Sequence, residues 1–97
     1  MTMLEIFKET AKGLPVELNV LSVRDGYSKS KLRVEHGGIE TTVELHKTCA
    51  PGEERNYCWY AVTTAMSAIY LSSGNIPKAR LWMDAMHDRS LITAENA

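Results

Sequence analysis

The sequence is poor in most of the features that announce a function. Its two cysteines, Cys49 and Cys58, are too few for the disulfide framework that supports small secreted domains. No apolar run approaches the roughly 20 residues needed to cross a bilayer. The longest weakly polar stretch, Tyr57 to Leu71, contains Thr63, Thr64 and Ser67 and reads as a buried helix. Neither sign of charge dominates, since eleven Lys and Arg stand against twelve Asp and Glu. No global field therefore draws the chain onto nucleic acid or an anionic membrane, and any such binding needs a local patch. The opening Met1-Thr2-Met3-Leu4-Glu5-Ile6-Phe7-Lys8 has no basic segment followed by an apolar run, so a cytoplasmic protein is expected. Gly-x-Ser-x-Gly, His-Glu-x-x-His and Gly-rich phosphate-loop patterns are missing, which argues against an enzyme and against a cofactor.

What is present suffices for one folded domain over residues 1–97. Of its 97 residues, 44% are hydrophobic and 24% charged, which excludes disorder and leaves no room for a two-domain enzyme. Met3, Ile6, Phe7 and Thr10/Ala11 share one face over residues 3–12, opposite Glu5, Lys8, Glu9 and Lys12, and Gly13 and Pro15 stop the pattern; the helical unit takes residues 1–15. From Val16 the period becomes two. Val16, Leu18 and Val20 point one way, while Leu21 and Val23 follow in the opposite phase, which implies a bulge near Val20–Leu21 or a strand covered on both faces.

Asp25-Gly26-Tyr27-Ser28 reads as a turn, and Gly37-Gly38 as a two-residue hairpin loop between strands in which Leu32 and Val34, then Ile39, Thr41, Val43 and Leu45, alternate with polar residues. That loop pairs His36 with Ile39, Glu35 with Glu40, Val34 with Thr41, Arg33 with Thr42, Leu32 with Val43 and Lys31 with Glu44. Apolar then meets apolar on one face throughout. The sheet is expected over residues 16–48 and a helical hairpin over 57–91. Its first helix, from Tyr57 to Ser73, covers the sheet with Cys58, Val62, Ala65 and Ile69. Trp59, Met66 and Tyr70 lie on a second side, against Ala79, Trp82, Met83 and Met86 of a last helix begun by Pro77. The tail after Leu91 is expected to fray. The fold class is α+β: an N-terminal helix, a three-stranded antiparallel sheet, then two helices, the first over one sheet face.

The first helix ending at Gly13-Leu14-Pro15, the hairpin Leu32-Arg33-Val34-Glu35-His36-Gly37-Gly38 and the Ala-rich second helix together resemble the double-stranded-RNA-binding domain, across about residues 3–71. The resemblance implies an α-β-β-β-α topology, with RNA met by the first helix, the first strand loop and a lysine-rich start of the second helix. This chain departs from the family at those points. Arg24-Asp25-Gly26-Tyr27-Ser28-Lys29-Ser30 lacks the family's Gly-Pro-x-His pattern, and the helix opens with Glu53-Glu54-Arg55-Asn56, two carboxylates where phosphates should dock. Ala68 to Ala79 is similar to the turn inside a tetratricopeptide repeat; because repeats need several copies to stack, it reads here as a helical hairpin turned by Gly74-Asn75.

Few side chains suggest chemistry. His46, Cys49 and Cys58, with His36, are potential zinc ligands, but the thiols are nine positions apart and Cys58 falls on the core face, so reduced, metal-free thiols are expected. Glu35 and Glu40, opposite each other on the outer sheet face, are either a general acid–base pair, one pKa raised by the other charge, or a solvated pair offset by Arg33. Arg24, Lys29, Lys31 and Arg33 gather four of the eleven basic residues within ten positions, a patch suited to phosphate or to an acidic protein surface, or a device against strand aggregation.

The reading that remains is a non-enzymatic adaptor or inhibitor occupying a surface of a larger protein or nucleoprotein. Its binding residues are expected to be Arg24, Lys29, Lys31, Arg33, Glu35 and Glu40. The inhibitors that phages direct at host nucleases and defence complexes are similar in size and independence. The alternative is direct binding of structured RNA or DNA through the scaffold that resembles the RNA-binding domain.

Overall fold

Two features at the chain start explain the first helix, α1 (Met3–Lys12). The Thr2 hydroxyl accepts the Glu5 backbone N–H at 3.2 Å, and the Glu5 carboxylate accepts the Thr2 N–H at 3.4 Å. This reciprocal cap satisfies backbone donors that no helical partner reaches. α1 buries Phe7 and Ala11, with the Phe7 ring edge-on to Tyr57 at 6.3 Å between centroids. The computed structural model describes residues 2–26, 29–46 and 49–97.

Strands β1 (Asn19–Asp25), β2 (Ser30–His36) and β3 (Ile39–Leu45) form an antiparallel sheet in the order β1-β2-β3. The β2–β3 pairs run from Ser30 with Leu45 to His36 with Ile39, in the register expected from the glycine pair. Gly37 and Gly38 have φ of 59° and 83°, the two left-handed positions of a type I′ turn, whose twist matches that of the strands. The phase slip in β1 is a bulge: Val20 faces Val34 and Ser22 faces Arg33, leaving Leu21 as the extra residue. Val20 and Val23 thereby both turn to the core, and Leu21 is left exposed. β1 begins at Asn19 rather than Val16; Leu18 still reaches the core from the connecting segment. The expected Tyr27–Ser28 turn and the sheet's end at Thr48 lie outside the described residues.

Helix α2 (Glu54–Ser72) lies over β2 and β3. It starts one turn before Tyr57 because Glu54, Arg55 and Asn56 are compatible with an exposed helical turn, which apolar periodicity alone does not register. Leu32, Val34, Val43 and Leu45 are buried beneath it, with Thr41 half-buried. α2 is enclosed on two sides: Cys58, Val62 and Ala65 are buried, and so are Ala61 and Met66. Gly74, at φ 80°, ends it while the Asn75 N–H returns to the Tyr70 carbonyl at 2.9 Å, a left-handed stop that glycine tolerates.

Helix α3 (Ile76–Ala85) packs on α2 and not on the sheet. Trp82 is fully buried, and Trp59 donates its indole N–H to the Ala85 carbonyl at 2.7 Å. Met83, expected in that contact, is instead 48% exposed. The Trp82 indole N–H has no partner among the described residues. The tail does not fray: after a 3-10 turn at Arg89–Leu91, Ile92 and Ala97 pack on the core, and Lys78 donates to the Ala97 carbonyl at 3.0 Å. No helix among the described residues is long and apolar enough to cross a membrane.

Candidate binding surface

Because side chains alternate along a strand, burying Leu32, Val34, Val43 and Leu45 under the helices sends Lys31, Arg33, Glu40, Thr42 and Glu44 to the opposite face. All five are exposed there. Cross-strand pairing extends the face to Arg24, opposite Lys31, and to Ser22, opposite Arg33. Lys29, just before β2, reaches it, and the Lys29 carbonyl accepts the Gly26 N–H at 2.9 Å. A Cβ on Gly26 would stand 2.4 Å from that oxygen, so only glycine fits at that position.

The face is striped rather than uniformly basic. Cations occupy β1 and β2, while carboxylates occupy β3 and the turn-proximal end of β2. Lys29 meets Glu44 at 3.0 Å, and Arg33 meets Glu40 at 3.1 Å. Arg24 and Lys31 have no ion-pair partner among the described residues, so the unbalanced positive charge lies on the β1–β2 half. Exposed pairs of this kind contribute little to stability; their effect is to make the face directional, positive at one side and negative at the other.

Glu35 and Glu40 are cross-strand neighbours, but their carboxylates turn apart. Glu35 accepts from the Asn19 amide at 2.7 Å and from the Gly38 N–H at 2.7 Å. The Asn19 bond first, then the Gly38 bond, hold its pKa below the ordinary 4.5. A general acid needs the opposite shift at Glu35, and the Glu40 carboxylate is paired with Arg33 at 3.1 Å. Lys29 likewise lowers the pKa of Glu44.

The potential metal ligands do not converge. Among the described residues no three of His, Cys, Asp and Glu are grouped to hold a metal ion. His36 bonds the Glu17 carbonyl at 2.7 Å through Nδ1 and lies edge-on to Tyr70. Cys58 is fully buried, and neither cysteine is in a disulfide. Burial above all, then the nearby Cys49, push the Cys58 thiol up to about 11, which keeps it protonated and inert at neutral pH.

Two concave features escaped the sequence reading. A cavity of about 480 Å³ opens between α1, α2 and the C-terminal turn, flanked by Arg55 and Arg89. Arg89 lies over the Trp59 ring at 5.0 Å and donates to Asn56 at 3.0 Å. A groove of about 670 Å³ follows β3 beside α2, lined by Val43, Leu45, Tyr57 and Tyr60 with Glu53 at its rim. Tyr60 is 51% exposed; a helix apolar nearly all round gave no sign of which aromatic would remain outside.

The element order is compatible with the α-β-β-β-α topology of the double-stranded-RNA-binding domain, extended by α3. The carboxylates of Glu53 and Glu54 stand at the start of α2, where that family places cations, Glu53 bonded by Asn56 and Glu54 by the Gly52 N–H. Comparison with known proteins finds no family model, no curated protein and no solved structure that matches the chain.

Proposed function

We propose that the chain is a non-enzymatic binding protein, an adaptor or inhibitor that occupies a surface of a larger protein or nucleoprotein through the outer face of its sheet. The observation that carries this reading is the contrast between the two faces. One is used by the helices, while the other displays Arg24, Lys31, Arg33 and Glu40 on a hydrogen-bonded scaffold with no element over it among the described residues. A rigid, evenly spaced set of charges suits recognition, since little side-chain support must be ordered on binding. The segregation of charge favours a partner with a complementary stripe, which steers encounter and fixes orientation. A phage-type inhibitor of a host nuclease or defence complex is the specific form of this reading that the chain's size suggests.

The test compares wild type with the double variant Lys31→Glu, Arg33→Glu in capture of partners from the native host, each checked for its unfolding midpoint. Loss of the captured partner with an unchanged midpoint is expected. Retained capture, with loss on changing exposed Met83 of α3, would move the surface to the helical hairpin. A salt titration against duplex RNA separates direct nucleic-acid binding, whose affinity falls steeply as salt rises.

A further inference from the structure

β3 is an edge strand with an unbroken seven-residue ladder on one side and, among the described residues, no strand on the other. In a two-residue hairpin the residues flanking the turn, here His36 and Ile39, exchange both ladder bonds, and such pairs alternate along the strands. Thr41, Val43 and Leu45 therefore direct their backbone groups to β2. Glu40, Thr42 and Glu44 direct theirs outward, and none of these three makes a backbone hydrogen bond outside the sheet among the described residues. The opposite edge is treated differently: β1 carries the Leu21 bulge and is packed by α1. Beside the open β3 edge runs the groove of about 670 Å³, with Val43 and Leu45 along one wall and Tyr57 and Tyr60 of α2 along the other.

The geometry points to β3 as a docking edge for an extended segment of a partner protein, added as a fourth strand, in which apolar or aromatic residues alternate with lysine or arginine. The alternation follows from the pleat. Side chains on the helical side of the added strand enter the groove against Tyr57 and Tyr60. Those on the outer side lie beside Glu40 and Glu44. The ion pairs with Arg33 and Lys29 use one oxygen of each carboxylate, Oε1, which leaves the second oxygen for an incoming cation. Glu53, which also lines the groove, adds a negative charge whose carboxylate accepts from the Asn56 amide. A second copy of the chain fits poorly, because antiparallel β3–β3 pairing centred on Thr42 sets Glu40 opposite Glu44 twice, and like charges directly opposite destabilise a sheet. This surface is separate from the cationic half of the outer face and does not depend on the function proposed for it.

The test uses the full chain, labelled for NMR, with a peptide of about ten residues alternating lysine with valine and tyrosine, a length that covers one strand. Its counterpart carries glutamate in place of lysine. The basic peptide should bind and slow amide exchange at Glu40, Thr42 and Glu44, and the acidic one should not bind. Thr42→Pro removes an outward N–H, a position where edge strands tolerate proline, and should weaken binding about tenfold. Tyr60→Lys, which leaves the ladder intact, should weaken it by a similar factor. No binding, equal binding of the acidic peptide, binding without protection of the three amides, or unchanged affinity in Tyr60→Lys would each overturn the proposal. So would a concentration-dependent dimer that protects those amides without peptide, because the occupant would then be a second copy.

Discussion

The β2–β3 hairpin and the α2–α3 hairpin are both made by adjacent segments joined by a glycine turn, yet they commit their side chains in opposite ways. In β2 and β3 five of fourteen residues, Lys31, Arg33, Glu40, Thr42 and Glu44, are exposed at alternating positions and uncoupled from the core. In α2 eight of nineteen residues are buried, on more than one side, because the sheet lies on one flank and α3 on another. Period two separates display from packing; a helix held between two layers cannot. The difference teaches where changes are tolerated and where new contacts can be built.

The strongest break of that comparison should come at Trp82. Trp82→Ala removes the largest fully buried side chain and is expected to cost about 3–5 kcal/mol, measured by denaturant unfolding. Trp82→Phe sharpens the point: it also removes an indole N–H without a partner among the described residues, so its cost should be clearly smaller. A loss in Trp82→Phe equal to that in Trp82→Ala would mean that the N–H finds a partner.

Next is the turn. Gly38 sits at φ 83° with open space where a Cβ would go, so Gly38→Ala meets only backbone strain and should lose about 1 kcal/mol. An unchanged midpoint would show that the turn relaxes to another type.

A smaller effect follows from acid. Glu35 and Glu44 have pKa values lowered on folding from 4.5, so each carboxylate binds protons less readily folded than unfolded. Their contribution to stability is present above about pH 4.5 and is lost as pH falls through the folded values. Unfolding midpoints measured against pH should decline on that limb, and Glu35→Gln should flatten the decline. An identical acid limb in wild type and Glu35→Gln would remove the Asn19 and Gly38 bonds from the account.

The smallest stability change is expected for Lys31→Glu with Arg33→Glu, about 0.5 kcal/mol or less per site, although this pair has the largest expected effect on capture by the outer face. A large fall in the unfolding midpoint would show that the outer face takes part in holding the fold.

The strand register and the core face were legible because glycine spacing and period-two alternation are local signals that agree with each other. The bulge was one of two readings of the phase slip at Val20–Leu21, the other being a strand covered on both faces, and the pairing of Val20 with Val34 and Ser22 with Arg33 selects it. The start of α2 was less so, since its first turn is polar and carries no periodic mark. The tail was misjudged because Ile92 and Ala97 acquire value only from a core that distant segments build.

The candidate site divides in the same way. The sequence by itself determined which charges lie on the outer face, because alternation is a property of the strand backbone. The strand register set Lys31 opposite Glu44, but only the tertiary structure decided that Lys29, from just before β2, is the cation that meets Glu44 at 3.0 Å. It also decided that a groove runs between β3 and α2, because a concavity exists only where two elements distant in sequence are held side by side. Periodicity records which way a side chain points; what stands opposite it is set by packing.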